Sequence, residues 1–347
     1  MNDKDKLQEI IADNSQKHSS VSWWPKFAFH YSDVQNMVNI LSTGKIFSRE
    51  NATKYKVMKN DNASKQVINM TETDVTKCAR FYFRPLTPTQ YYNEGFKHPD
   101  LRYDSDFYAN VPVPIFLLFD LNKLLLIPGI KFSETKQAGY GSNLYGTIKE
   151  FSNFDFDKIY SIGGKNYEEE KSYRQAEILY PDSFDIDQCL NSVLCRNSKE
   201  KTTLTTLLRK NAPHSYKKYL SKIKVWNENL FENNGLFIKN VIYDEDKLSF
   251  TFSDPQNRSY YIHSQMKKNR VDNLKPISAK LQLIWKSQGH EIYRGQKELQ
   301  IDYKHRNTII INSIPTYEDA DTMEILFYLE NALMCLMEQP LDYKIPF

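Results

Sequence analysis

The sequence predicts an α+β fold in two bodies, a mixed β-sheet with flanking helices and then a second, mostly β domain that ends in a helix. Three observations carry this expectation. Between residues 27 and 126, strand-period runs and one continuous apolar run are interrupted by a stretch with helical spacing. Between residues 236 and 314, short β-prone runs alternate with turn residues such as Asp244 and Gly289. Beyond them, Met323, Leu326, Leu329, Leu333, Leu336 and Met337 recur at helical spacing. At 347 residues, 40% hydrophobic and 14% aromatic, the chain is long and apolar enough for one large domain or two ordinary ones.

Residues 1–22 are polar and predict a tail or a frayed helix. Phe27, Phe29 and Tyr31 then alternate with Ala28 and His30, the period of a strand with His30 at its end. Ser32 or Asp33 serves as N-cap to a helix with Val34, Met37, Val38 and Leu41 on its apolar face, and Gly44 ends it. Residues 49–77, rich in Lys and Asn, read as a long loop with a short helix at 64–70. Residues 79–84 put Phe81 and Phe83 on one strand face and Arg80, Tyr82 and Arg84 on the other, until Pro85 stops the strand. Residues 111–126 predict a buried central strand turning at Asp120 and Asn122. A polar loop at 132–143, helical spacing at 144–151 and a short alternating strand through Phe154, Phe156 and Ile159 follow. After a loop at 163–172 comes Glu177, and Ile178, Leu179 and Tyr180 form a β-prone run that Pro181 stops. Residues 198–230 read as a basic, helical linker between a first domain at 23–197 and a second at 231–347. Within the second, residues 258–266 are expected to form one of several strands.

A net charge of +3 does not by itself announce a nucleic-acid binder, but residues 196–224 hold nine Lys and Arg against one acid, Glu200. Such a stripe is either a solvated helix face or a contact for a phosphate backbone. The four cysteines form no CxxC pair and the seven histidines no HExxH, so neither a disulfide framework nor a metal is expected. No run of 18 apolar residues predicts a membrane span, and the N-terminus has neither a signal-peptide nor a transit-peptide composition. The expected location is cytoplasmic.

The stretch SYRQAEILYPD, residues 172–182, delivers one carboxylate, Glu177, from a loop onto a strand. Taken alone, Glu177 is equally a surface residue at a strand entrance, and His30 an ordinary packed histidine. Arg80 and Arg84 flanking Tyr82 could hold a diphosphate or stack a base, or simply decorate a wet sheet face.

Five segments in order, HYSDVQNMVNILSTGKI, RFYFRPLTPTQYYNEG, VPIFLLFD, FSETKQA and YRQAEILYPD, resemble the DarT family of nucleic-acid ADP-ribosyltransferases over roughly residues 26–197. The resemblance implies the ADP-ribosyltransferase fold, a split mixed β-sandwich, with NAD as co-substrate and no metal. It implies transfer of ADP-ribose to a base of single-stranded DNA or RNA, as in a bacterial toxin or anti-phage effector, with a cognate antitoxin as a possible partner and no membrane. Glu177 matches the catalytic glutamate and His30 the NAD-contacting histidine, and Tyr82 falls in the strand lining the cleft. The family arginine upstream of that strand has no clean counterpart: Arg49 and Lys65 are candidates, and Arg80 stands where the family usually has Pro. Arg49 and Arg80 are thus expected at the cofactor, and Arg84, Tyr91, Arg174, Lys217 and Lys218 at the nucleic acid. A carboxylate beside the NAD ribose stabilises the positive charge that grows as nicotinamide departs, and accepts a bond from a ribose hydroxyl. Two alternatives stay open: a transferase of this fold acting on protein, suggested by the acidic run Glu168, Glu169 and Glu170, or a catalytically silent nucleic-acid-binding module.

Overall fold

Aromatic and branched residues at alternate positions set the spine of the first body. The computed structural model describes residues 2–59, 73–102, 110–138, 142–164 and 166–341. Strands β1 (Phe27–Asp33), β3 (Cys78–Tyr82), β4 (Pro114–Asp120), β5 (Lys131–Ser133), β6 (Glu177–Pro181), β8 (Leu190–Cys195) and β9 (Ile223–Val225) form one sheet in the order β5-β6-β3-β1-β4-β8-β9. The pairs are antiparallel except β8–β9, which is parallel. A separate two-stranded pair joins β2 (Lys45–Phe47) to β7 (Ser183–Asp185). As its apolar run predicts, β4 is buried on both faces, and Leu121–Leu124 makes one helical turn where the run was expected to turn.

Of the two alternatives, tail or frayed helix, the N-terminal segment takes the helix, α1 (Asp3–Lys17). It is capped by Asn2 and buries Leu7 and Ile11 in the first core, so two apolar residues one turn apart were enough to dock an otherwise polar segment. Helix α2 (Val34–Thr43) follows β1 as expected, with Asp33 accepting the Gln35 N–H and Gly44 in the left-handed region at φ 70°. The helix expected at 64–70, with Lys65, lies outside the described residues. The expected strand at Phe154–Ile159 is instead a helical turn, Phe156–Ile159, because Asp155 caps it by accepting the Lys158 N–H.

The basic segment is not a linker. Its helices α3 (Ser198–Asn211) and α4 (Pro213–Tyr219) form the crossover that parallel strands β8 and β9 require. Part of its charge is met by acids distant in sequence: Arg209 pairs with Glu338, Lys210 with Glu324 and Lys218 with Asp187.

The second body holds a three-stranded sheet, β10 (Ile238–Asp244), β11 (Lys247–Phe252) and β14 (Thr308–Ile311), and a four-stranded one ordered β13-β12-β15-β16. The latter comprises β12 (Ile277–Ser287), β13 (His290–Ile301), β15 (Thr322–Leu329) and β16 (Ala332–Pro340). The hairpin turning at 244–247 stands where expected. Two expectations are corrected. Residues 258–266, expected as a strand, lie in helix α5 (Pro255–Asn269), started by Asp254 as N-cap and Pro255. Its buried residues Arg258, Tyr261, Ile262 and Gln265 share one helical face. The expected terminal helix is the β15–β16 hairpin. A run apolar at nearly every position satisfies both periods, and pairing of Met323, Ile325, Phe327 and Leu329 along β12 decides for strand. Among the described residues, no helix is long and apolar enough to cross a membrane.

Two apolar cores result, one running from Leu7 to Phe231 and the other gathering Leu236 onward together with Phe96 and Leu101 from the first half of the chain. Phe96 pairs with Leu236, and the hydroxyls of Tyr303 and Tyr261 donate to the carbonyls of Phe96 and Leu101 at 3.1 Å each. Here the backbones nearly touch: a Cβ on Gly235 would lie 2.5 Å from the Glu94 carbonyl oxygen. The seam also buries charge. Glu94 accepts the N–H groups of Glu232 and Asn233 and pairs with Arg196, which pairs in turn with Glu200. Burial, against the pull of Arg196, pushes Glu200 up to about 7, and burial brings Lys97 down to about 7 against the pull of Glu94. Folded Glu200 therefore keeps a proton that the unfolded chain releases near 4.5, and its contribution to stability fades as pH rises from about 4.5 through 7. Urea titrations of the wild type and Glu200→Gln are expected to show the wild type losing stability relative to the variant from pH 5 to pH 7. A difference independent of pH would refute the shift.

Candidate active site

The register of β3 against β6 sets the site. Tyr82 stands directly opposite Glu177 and Arg80 opposite Leu179, so Arg80, Tyr82 and Glu177 share one sheet face. On the other side of β6, Ser133 pairs with Glu177. Glu177 is 2% exposed, and the Arg80 guanidinium grips both its carboxylate oxygens, Nε to Oε2 at 2.7 Å and Nη2 to Oε1 at 2.6 Å. This is the two-pronged geometry that a planar fork makes with a carboxylate. Burial alone would lower the Arg80 pKa, but the charge of Glu177 raises it well above the ordinary value.

His30, from β1, lies 2.9 Å from the Arg80 carbonyl oxygen through Nδ1. A carbonyl only accepts, so Nδ1 carries the proton and Nε2 keeps a lone pair in the neutral ring. Burial lowers the His30 pKa, against the carbonyl bond that raises it. Tyr82 is pushed up to about 12, first by burial and then by the charge of Glu177, so its hydroxyl keeps its proton at neutral pH. Arg80 thus touches two expected site residues, one through its side chain and one through its backbone.

The loop before Glu177 is tied down internally. Arg174 donates to Ser161 Oγ at 3.0 Å, to the Gly163 carbonyl at 2.6 Å and to Glu170 at 2.7 Å. Thr89 Oγ1 and Gln175 Oε1 are 3.4 Å apart, and the Phe83 N–H donates to the Ala176 carbonyl at 3.3 Å.

The expected site residues divide accordingly. Arg80, Tyr82 and Glu177 come together on one sheet face, and His30 meets the backbone carbonyl of Arg80 with its ring against Phe81. Tyr91 lies in the short helix Pro88–Asn93, which begins beside Gln175. Arg49 opens the helix Arg49–Lys54, next to Asp182 at the far end of β6, where the Asp182 carbonyl takes the Ser48 N–H. Arg84 is corrected: β3 ends at Tyr82, and Arg84 turns inward, 2% exposed, donating to the carbonyls of Pro85, Ile159 and Ser161 and lying over Trp24. Burial, then the charge of Arg174, lowers its pKa to about 9. Arg174 is likewise a buried anchor of its loop, and Lys218 is held by Asp187, leaving Lys217 exposed on α4. Sequence reasoning passed over Gln137, 5% exposed in the segment that leads away from β5, whose amide nitrogen has no hydrogen-bond partner among the described residues. Its only sequence signal was membership of FSETKQA.

A family model described as "ssDNA thymidine ADP-ribosyltransferase, DarT" matches residues 29–230. Comparison with curated proteins returns no match. Among solved structures, the chain is similar to Thermus sp. 2.9 DarT in complex with ADP-ribosylated ssDNA, at 11% identity and TM-score 0.49, covering 60% of this chain and 97% of that one. It is similar to the same protein in complex with NAD+ at 13% identity and TM-score 0.46, covering 60% and 98%. Thermosipho africanus DarTG in complex with ADP-ribose matches at 14% identity and TM-score 0.43, covering 54% of this chain and 48% of that one.

Proposed function

The chain belongs to the DarT family, and from that membership we propose that it moves ADP-ribose from NAD to thymidine in single-stranded DNA, with Glu177 as the catalytic carboxylate. It is an NAD-dependent ADP-ribosyltransferase, and NAD is its co-substrate. The observation that carries the role of Glu177 is its carboxylate, buried at the start of β6, held in one orientation by Arg80 and faced by Tyr82, with His30 bonded to the Arg80 backbone.

Glu177 is placed to face a ribose losing its nicotinamide, where its negative charge stabilises the developing cation. Arg80 takes one lone pair on each carboxylate oxygen, and each oxygen has a second, so Glu177 keeps acceptors for a ribose hydroxyl and for the proton of an attacked base nitrogen. His30 offers Nε2 as an acceptor to a hydroxyl of NAD, and Tyr82 keeps a donor beside Glu177.

A competition tests the acceptor. One mixed sequence is offered at equal mass as single-stranded DNA, single-stranded RNA and duplex with labelled NAD, and the digested nucleosides are read by mass spectrometry. The expected adduct is on thymidine of the single-stranded DNA, because a duplex hides the base nitrogen within its pairs. Equal label on duplex, or label on protein alone, would overturn the assignment.

A further inference from the structure

We propose that the acceptor strand is held beyond its reactive base by a tyrosine platform built jointly by the two bodies, with Tyr91 and Tyr92 from the first and Tyr260 from helix α5 of the second, and with Lys267 and Lys268 supplying its positive charge. The inference rests on the single-stranded acceptor proposed above and assigns a role to the C-terminal body, which the family match, ending at residue 230, does not reach.

Position is the first argument. The helix Pro88–Asn93 starts against the residues just before Glu177, through Thr89 with Gln175 and Phe83 with Ala176. Nucleotides next to a base at Glu177 on that side must pass the rings this helix carries. Tyr91, half-buried, stands edge-on to Tyr92 at 5.2 Å between ring centres and to Tyr261 of α5 at 5.5 Å. The two bodies therefore meet ring against ring at this place. Tyr260, the next residue of α5, is 77% exposed. It lies near enough to Tyr91 that, after burial, it is the main cause of the Tyr91 phenol being pushed up to about 12.

Charge is the second. Between residues 255 and 275 the chain carries Lys267, Lys268, Arg270 and Lys275 besides the buried Arg258, against the single acid Asp272. Lys267 and Lys268 are exposed, and the Lys268 ammonium lies 5.7 Å from the Tyr92 ring centre. Glu168 and Glu169 stand exposed on the helical turn Tyr167–Glu170 before Glu177, an acidic surface that disfavours a phosphate backbone there and favours the lysines of α5. Partly exposed rings beside lysines bind unstacked bases without reading their sequence, since every base has a π-face. This surface suits flanking nucleotides of any identity, leaving choice of base to the catalytic face.

The test uses full-length Glu177→Gln protein, which binds without turnover, and fluorescent single strands of about 4 and about 16 nucleotides, a range spanning known single-strand site sizes. Tyr260→Ala in that background is expected to weaken binding of the long strand by roughly five- to a hundredfold, the scale of one lost base–aromatic stack, and to leave the short strand unchanged. Lys267→Glu with Lys268→Glu should flatten the dependence of log affinity on log salt by about 0.7 per lost phosphate contact. Because Tyr260 is mostly in water, its truncation does not threaten folding. Long-strand affinity and salt slope unchanged in both variants would overturn the platform. Failure of the acceptor reading shows separately, as absence of thymidine adducts on both strand lengths in the active protein.

Discussion

Glu177→Gln is expected to lower the rate of ADP-ribose transfer by about a hundred- to a thousandfold, the scale of losing one preorganised electrostatic group at a transition state. The substitution removes the charge at constant volume. The amide oxygen still accepts one bond from Arg80, so the fold survives, and circular dichroism should match the wild type. Transfer is measured as labelled adduct on single-stranded DNA, and retention of more than about a tenth of wild-type activity would remove Glu177 from the catalytic role. In a bacterial host, expression of the wild type is expected to arrest growth and expression of the variant to permit it.

Arg80→Ala should produce the largest loss of stability from a single side chain at the site. It strips Glu177, 3% exposed at its side chain, of its bidentate partner, while Arg80 itself is 29% exposed. Breaking a buried pair by removing one partner costs about 3–5 kcal/mol, and the access of Arg80 to water places this pair at the lower end, about 3 kcal/mol. Urea denaturation of Arg80→Ala, Glu177→Gln and the double variant gives the coupling between them. In the double variant the loss due to Arg80 should fall below about 1 kcal/mol, because no ionised carboxylate is left stranded. Equal losses in the two backgrounds would mean that Arg80 stabilises by packing alone. Activity of Arg80→Lys, which keeps the charge but loses the fork, should lie between those of the wild type and Arg80→Ala.

Local chemistry in the sequence was enough for β1, α2 with its Asp33 cap and Gly44 stop, β4 and the entry of Glu177 onto β6. Each of these is decided by neighbours within a few residues. Two elements were misread because the local signal was double. Residues 258–266 carry β-prone Tyr and Ile, yet the Asp254–Pro255 start favours helix; the apolar run of β15 and β16 fits both periods until β12 pairs with it. Electrostatics was the least legible. The partners of Arg209, Lys210 and Lys218 lie far along the chain, so a stripe basic in sequence is partly neutralised in space. The Arg80–Glu177 pair, 97 residues apart, became visible only when register put Tyr82 opposite Glu177.

The segment that carries Phe96 and Leu101 belongs by sequence to the catalytic half and by packing to the other core, and just before it Gly95 meets Gly235 with no room for a side chain. A protease nicking the chain between residues 231 and 235 would cut the covalent thread without releasing either half, since the inserted segment stays gripped. A gene fragment ending at residue 230 would carry Phe96 and Leu101 bare into water. Replacing the C-terminal half by simple fusion would leave that segment without its core, so the two halves of this chain fold as one unit.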